Sequence, residues 1–149
     1  MSAYNWQCKS FDELTPHELY AIMQLRSEVF VVEQNCPYLD PDGKDYSSWH
    51  LMGWDGDKLV AYSRLLPAGL AFQEISIGRV VSSPAYRGSG AGKELMNHAI
   101  EKSHQLFGPQ PIRIGAQLYL KKFYESLGFI QVSEMYLEDG IEHVEMVRA

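Results

Sequence analysis

Three glycines at alternate positions set the first constraint on this chain. The run Arg87-Gly88-Ser89-Gly90-Ala91-Gly92-Lys93 follows a strand-like segment, about Glu74 to Ser82, and precedes a helical pattern of Leu95, Met96, Ala99, Ile100 and Leu106. Residues without a Cβ let the backbone come close to a ligand. The helix behind them points unpaired N–H groups and a partial positive charge the same way. Together these are the chemistry of a phosphate or pyrophosphate site. A glycine-rich turn that only lets strand and helix pack is the competing reading of the same residues. Spacing excludes three familiar loops. A Walker loop needs Gly at Arg87 and Ser or Thr at Glu94, and the dinucleotide fingerprint needs Gly at Lys93. A nucleophile elbow around Ser89 needs Gly at position 87.

The rest of the chain gives the order β-α-β-β-β-α-β-α-β-β. Tyr4 to Lys9 reads as a strand. Thr15-Pro16-His17-Glu18 supplies an N-cap, a proline at the first helical position and an acid three residues after the cap. Leu19, Ile22, Met23, Val29 and Phe30 then carry a helix to about Val31. A polar loop follows over 33–48. His50 to Trp54 and Lys58 to Leu66 form a hairpin at Asp55-Gly56. After the central helix come a short strand, Ile112 to Gly115, and a helix, Leu118 to Leu127, stopped by Gly128. Phe129 to Leu137 and Ile141 to Arg148 make a last hairpin around Asp139-Gly140. This order predicts a mixed sheet in an α/β layered fold.

Composition narrows the function. A chain of 149 residues with 46% apolar residues predicts one domain, spanning 1–149, with a sizeable core. Nineteen acids against 13 Lys and Arg, a net charge of −6, argue against a nucleic-acid partner. No apolar run approaches the roughly 18 residues of a membrane span, so no membrane partner is expected. Met1 to Trp6 lack a basic leader, and two cysteines, Cys8 and Cys36, make no disulfide framework. A cytoplasmic location is the expectation.

Arg87-x-x-Gly90-x-Gly92, preceded by Pro84 and a β-branched strand, resembles the acyl-CoA loop of the GNAT N-acetyltransferase superfamily. Phe123-Tyr124-Glu125-Ser126-Leu127-Gly128-Phe129 is similar to that family's closing motif. Leu25 to Gln34, Cys36-Pro37-Tyr38, Asp40-x-Asp42-Gly43-x-Asp45, Ile77 to Val81 and Ala116-Gln117 resemble its ElaA-like branch. The likeness spans nearly the whole chain. It implies a mixed, mostly antiparallel central sheet with a splayed parallel pair, Glu74–Ser82 and Ile112–Gly115, flanked by helices.

The resemblance also implies roles. Val80, Val81 and Ser82 would hold the pantetheine arm of acetyl-CoA through backbone hydrogen bonds. The amides of Gly88, Ser89, Gly90, Ala91 and Gly92 would cradle the pyrophosphate, with charge from Arg87 and Lys93. A backbone N–H near Val80 or Val81 would polarise the thioester carbonyl. The acceptor would be a primary amine of a small molecule or peptide, attacking the thioester directly. Tyr124 would be the acid that protonates the leaving thiolate; a purely packing role is its alternative. Relatives commonly carry Asn seven residues before that tyrosine to bind the arm, and Gln117 stands there in this chain, one methylene longer. An alkyl ammonium must also lose a proton before it attacks. Glu33, His50 and Glu74 are the base candidates, alongside a water chain with no dedicated base.

The remaining polar residues carry quieter expectations. Asp40, Asp42 and Asp45 fail the calcium-loop pattern, because Gly is absent at Asp45 and Glu at Leu51. They read as a turn-forming loop shaping the acceptor pocket. His98 and His104 lack a zinc-helix pattern, and no metal is expected. The apolar C-terminal strand is a candidate edge for a homodimer. A CoA-responsive binding module and a lactone-forming acyl transfer are the alternatives to N-acetylation.

Overall fold

The computed structural model describes residues 3–149. Four strands, β1 (Asn5–Ser10), β2 (Trp49–Asp55), β3 (Lys58–Leu66) and β4 (Ser76–Ser82), form an antiparallel sheet in chain order. In a second sheet, β5 (Ile112–Gln117) pairs along its length with β8 (Ile141–Arg148). The other edge of β8 takes β6 (Phe129–Gln131) and then β7 (Tyr136–Glu138). Among the described residues, one parallel bridge joins the two sheets, Ile75 to Ile112, made by the Arg113 N–H on the Ile75 carbonyl at 3.0 Å. Past that bridge β4 and β5 part. The expected splayed pair is present.

Helices close both faces. The α1 helix (Pro16–Arg26) begins as its sequence dictates: Thr15 Oγ1 accepts from the Glu18 N–H at 3.1 Å, and Glu18 accepts from the Thr15 N–H at 2.8 Å. Its Ile22 and Leu25 pack on Met52, Leu59, Tyr62 and Val81. On the opposite face α2 (Ala91–Phe107) buries Leu95, Met96, Ala99 and Ile100 against residues of both sheets, so one helix spans the split. Between these layers β3 is buried from Leu59 to Leu66.

Four expectations need correction. The first helix ends at Arg26 rather than near Val31. Ser27–Glu33 continue in wider turns, with Gln34 N–H bonded to Val29 C=O at 3.1 Å and Cys36 N–H to Val31 C=O at 3.0 Å. The extra residue per turn keeps Val29 buried and turns Val32 out to 73% exposure. The last hairpin is not continuous either. Ser133 Oγ takes the Glu145 N–H at 2.8 Å, a side chain standing in for the ladder, and this separates β6 from β7. The segment after β5 is a tight turn, Leu118–Leu120, followed by a short α3 (Lys121–Glu125). Finally, β8 has neighbours on both edges, so it is not a free edge for a second copy.

The 33–48 loop is tied down by charge. Buried Arg26 donates from Nε to Asp40 and from Nη1 to Asp45, each at 2.7 Å. Arg64 on β3 makes a fork to Asp42, at 2.8 and 2.6 Å, and Arg79 on β4 reaches Asp40 at 2.8 Å. Burial alone would raise the Asp42 carboxyl, but the Arg64 hydrogen bond and the nearby arginines outweigh it and hold the group well below its ordinary range. The aspartates therefore build a wall, with Asp42 Oδ1 also closing a turn onto the Lys44 N–H.

Candidate active site

The gap between β4 and β5 opens a cleft of about 570 Å3. Its first side is a strand with an extra residue. Arg64 pairs with Gly78 and Tyr62 with Val81, so two steps on β3 face three on β4. The bulge puts Arg79 at φ 48°, a left-handed conformation costly for a long side chain. Its guanidinium is pinned to Asp40 and lies over the Tyr38 ring. Beyond the bulge, Ser83 N–H bonds Val60 C=O at 2.7 Å. Strand alternation then turns the N–H and C=O of Ser82 to the open edge. Val80, Val81 and Ser82 all line the cleft.

The glycine loop meets the cleft at its outer end. Gly88 (φ 82°) and Gly90 (φ 84°) are left-handed, and Gly90 N-caps α2 with no side-chain cap. A Cβ at Gly90 would meet nothing within 4 Å, so the glycine is required by φ rather than by room. The first helical bond runs from Glu94 N–H to Gly90 C=O at 3.1 Å, which leaves the Ala91, Gly92 and Lys93 amides unspent within the helix. These donors, beside an open strand edge, fit a pyrophosphate carrying an extended arm. Gly92 and Arg87 line the cleft; Gly88, Ser89, Gly90, Ala91 and Lys93 lie beyond its wall on the turn and the first turn of α2. The Ser89 hydroxyl is turned back to the Tyr86 carbonyl.

On the far side stand Tyr124 and Gln117. Tyr124 is 5% exposed, its ring edge-on to Phe123 and Phe129. Burial pushes its phenol well above the ordinary value, so it carries its proton at neutral pH. Gln117, at the end of β5, exchanges amide hydrogen bonds with Gln34 at 3.0 and 3.3 Å. That pair crosses from the wide-turn segment to the second sheet.

The three base candidates are displaced. Glu33 makes a two-pronged ion pair with Arg87, 2.6 Å at each oxygen, and the Arg87 hydrogen bond lowers its carboxyl below the usual range. Glu74 is held by Arg113 at 3.0 Å near the closed end of the split, outside the cleft lining. His50 has no exposure. Its Nε2 donates to the Asp45 carbonyl at 3.0 Å and its Nδ1 accepts from the Tyr62 hydroxyl at 2.7 Å. Burial lowers its pKa, so it serves as a neutral strut.

Cys36, Tyr38, Glu138, Asp139 and His143 also line the cleft, and of these Glu138 and His143 carried no reading in the sequence. His143 pairs with Gln117 across β5 and β8. The signal was the alternation of β8, where Val144 and Met146 are core and His143 takes the other face. Among the described residues there is no group of three or more His, Cys, Asp or Glu able to hold a metal, and no helix long and apolar enough to cross a membrane.

The acetyltransferase (GNAT) domain family matches residues 45–149, which hold β2 to β8, the glycine loop and Tyr124. The chain belongs to the GNAT acetyltransferase family. This GNAT protein is 46% identical to protein ElaA of Escherichia coli, over 96% of this chain and 95% of that one. The crystal structure of E. coli ElaA superposes with a TM-score of 0.92, covering 98% and 99% of the two chains. An acyl-CoA N-acyltransferase from Pseudomonas aeruginosa is 47% identical with a TM-score of 0.93, covering 98% and 99%. The fold is also that of an aminoglycoside 6'-N-acetyltransferase complexed with coenzyme A, 17% identical, TM-score 0.71, covering 95% and 96%. This GNAT protein is an acyltransferase.

Proposed function

We propose that the protein moves an acetyl group from acetyl-CoA to a primary amine of a small molecule or peptide, by direct attack on the thioester. One observation carries this reading: an open β4 edge runs from the unspent amides at the start of α2 to a buried, protonated Tyr124. The Ala91, Gly92 and Lys93 amides bind the pyrophosphate, with Gly88 and Gly90 giving the loop its shape. Ser82 and its neighbours hold the pantetheine arm as a strand holds a strand. The bulge at Arg79–Val80 interrupts the ladder and frees an N–H for the thioester carbonyl. Tyr124 supplies the proton to the departing sulfur. Gln117 reaches the arm by exchanging its bond to Gln34. The 33–48 loop and the β7–β8 turn form the acceptor side, where Glu138 and Asp139 favour a cationic amine. With both cysteines unpaired, the cytoplasm is the fitting compartment.

Thermal unfolding with acetyl-CoA, desulfo-CoA and ATP tests the binding half. At a hundredfold excess over Kd, binding adds about 2.7 kcal/mol, or roughly 5 to 10 °C in Tm. The CoA compounds should raise Tm for the parent and not for Gly90→Glu. Tyr124→Phe tests the chemistry: the acetyl-CoA shift should persist while kcat falls about 100-fold. An unchanged kcat would remove Tyr124 from the reaction.

A further inference from the structure

An attacking amine must give up a proton, and the groups first in line for it are spent elsewhere or lie outside the cleft. We infer that His143 takes this proton at Nε2, with Glu138 stabilising the imidazolium that results. The inference rests on the acyltransfer reading above.

Position comes first. Val144 and Met146 point into the core, so alternation along β8 places His143 on the opposite face, opposite Gln117 of β5 and in the wall of the cleft. That is the corner closed by the 33–48 loop and the β7–β8 turn, on the same side of the split as Gln117 and Tyr124. Protonation state follows from geometry. His143 Nδ1 lies 2.7 Å from the Ile141 carbonyl oxygen, which can only accept, so Nδ1 carries a hydrogen. The neutral ring therefore keeps its lone pair on Nε2. His50 shows the contrast, with both nitrogens satisfied and no exposure.

The surroundings fit a group that cycles between neutral and charged. Glu138 Oε2 lies 3.5 Å from Nε2. A carboxylate beside a lone pair gains nothing, but once Nε2 is protonated the same approach becomes an ion pair. Tyr136 stacks on the imidazole, centroids 5.8 Å apart and planes 24° from parallel, which fixes the ring plane. The charged and titratable groups facing this corner are Glu138 and Tyr136 on β7 and Asp139 in the turn. Cys36 joins them from the loop, its thiol donating to the Asp139 carbonyl at 3.2 Å. Glu145, paired with Arg113, lies farther along the same face of β8.

In the step itself, the amine nitrogen bonds to the thioester carbonyl carbon and the carbon–sulfur bond breaks. The amine proton goes to His143 Nε2, and the thiolate takes the Tyr124 proton. Solvent then carries the proton gained by His143 back to the tyrosine, so amine plus acetyl-CoA becomes amide plus free thiol.

His143→Asn is the test, because an Asn amide retains a donor near the Nδ1 position while removing Nε2. The probes are acetyl-CoA with a panel of alkyl, aralkyl and peptide α-amines, followed by release of free thiol from pH 6 to 9.5. The variant should keep the parent's Tm within about 3 °C and its Kd for acetyl-CoA within about twofold. The value of kcat/KM for the amine should fall about 100- to 1,000-fold. The acidic limb of the parent's pH profile should vanish. Glu138→Gln, which removes the carboxylate that would pair with the imidazolium, should lose less. A parent-like rate in His143→Asn, or a fall in rate with the limb intact, overturns the assignment while leaving the acetyltransfer reading in place. A parent that binds acetyl-CoA yet transfers to no amine overturns both.

Discussion

Replacing Arg26 by Met removes the centre of the charge network that ties down the 33–48 loop. Arg26 has no exposure and makes three hydrogen bonds: 2.7 Å to Asp40 Oδ2, 2.7 Å to Asp45 Oδ1 and 3.3 Å to the Asp40 carbonyl. Removing one partner of a buried pair costs about 3 to 5 kcal/mol. The lower end applies here, because Asp40 keeps Arg79 at 2.8 Å and Asp45 keeps Arg64 at 3.2 Å. A loss of about 3 kcal/mol lowers Tm by roughly 6 to 12 °C at this chain length. Urea unfolding at several pH values supplies the assay. Burial alone would raise the Asp45 carboxyl, but the Arg26 hydrogen bond and the charges of Arg26 and Arg64 outweigh it and depress its pKa. Stability from a depressed carboxyl is fully present above the unfolded pKa, about 3.9, and is lost as pH falls through the lower folded value. The gap between parent and variant should hold from pH 7 to about 5 and narrow only below about 4. The rise in Tm on adding acetyl-CoA should be unchanged, since the glycine loop lies outside the network. A loss under about 1 kcal/mol, or a gap that does not narrow in acid, would refute the reasoning and reduce the network to the worth of an exposed pair.

Other outcomes follow from single sites. Gly90→Ala adds a Cβ that meets no neighbour but must hold φ near 84°, so it should cost about 1 to 2 kcal/mol by urea titration and weaken CoA binding in calorimetry. An unperturbed Kd would show that loop shape does not matter. Burial pushes the Cys8 thiol up to about 11. Against an unfolded thiol near 8.5, its thiolate fraction at pH 8 is roughly 200-fold smaller in the native protein. Alkylation followed by mass spectrometry should find Cys8 slow in buffer and fast in denaturant; equal rates would contradict that burial.

Much of the fold was legible because its signals are local. The alternate glycines, the Thr15–Glu18 cap and the Asp55-Gly56 turn each depend on residues a few positions apart, and each stands where its chemistry requires. The 33–48 loop and the corner of the cleft at His143 depend on distant partners. Asp40 and Asp42 owe their role to Arg79 and Arg64, 39 and 22 residues away, and no spacing rule joins them. His50 drew attention through the intrinsic pKa of its side chain, which says nothing about a buried position between Asp45 and Tyr62. His143 was hidden for the opposite reason. Its partner is Gln117 through the β5–β8 register, and a register is a property of two strands rather than of one stretch of sequence. The wide turns of Ser27–Glu33 look helical by periodicity, because the apolar spacing of Val29 and Phe30 suits either winding.

The bridge between Ile75 and Ile112 has a consequence for handling the protein. Past it, the facing margins of β4 and β5 present main-chain polar groups with no strand to take them, the same kind of surface through which sheets stick to one another. On the proposed reading, the pantetheine arm fills that gap as a non-peptide strand, stitching the two halves of the molecule along a seam the polypeptide leaves open. Purified without CoA, the protein should be the more prone of its two forms to self-associate; saturated with it, the seam is closed and the halves are sewn into one sheet.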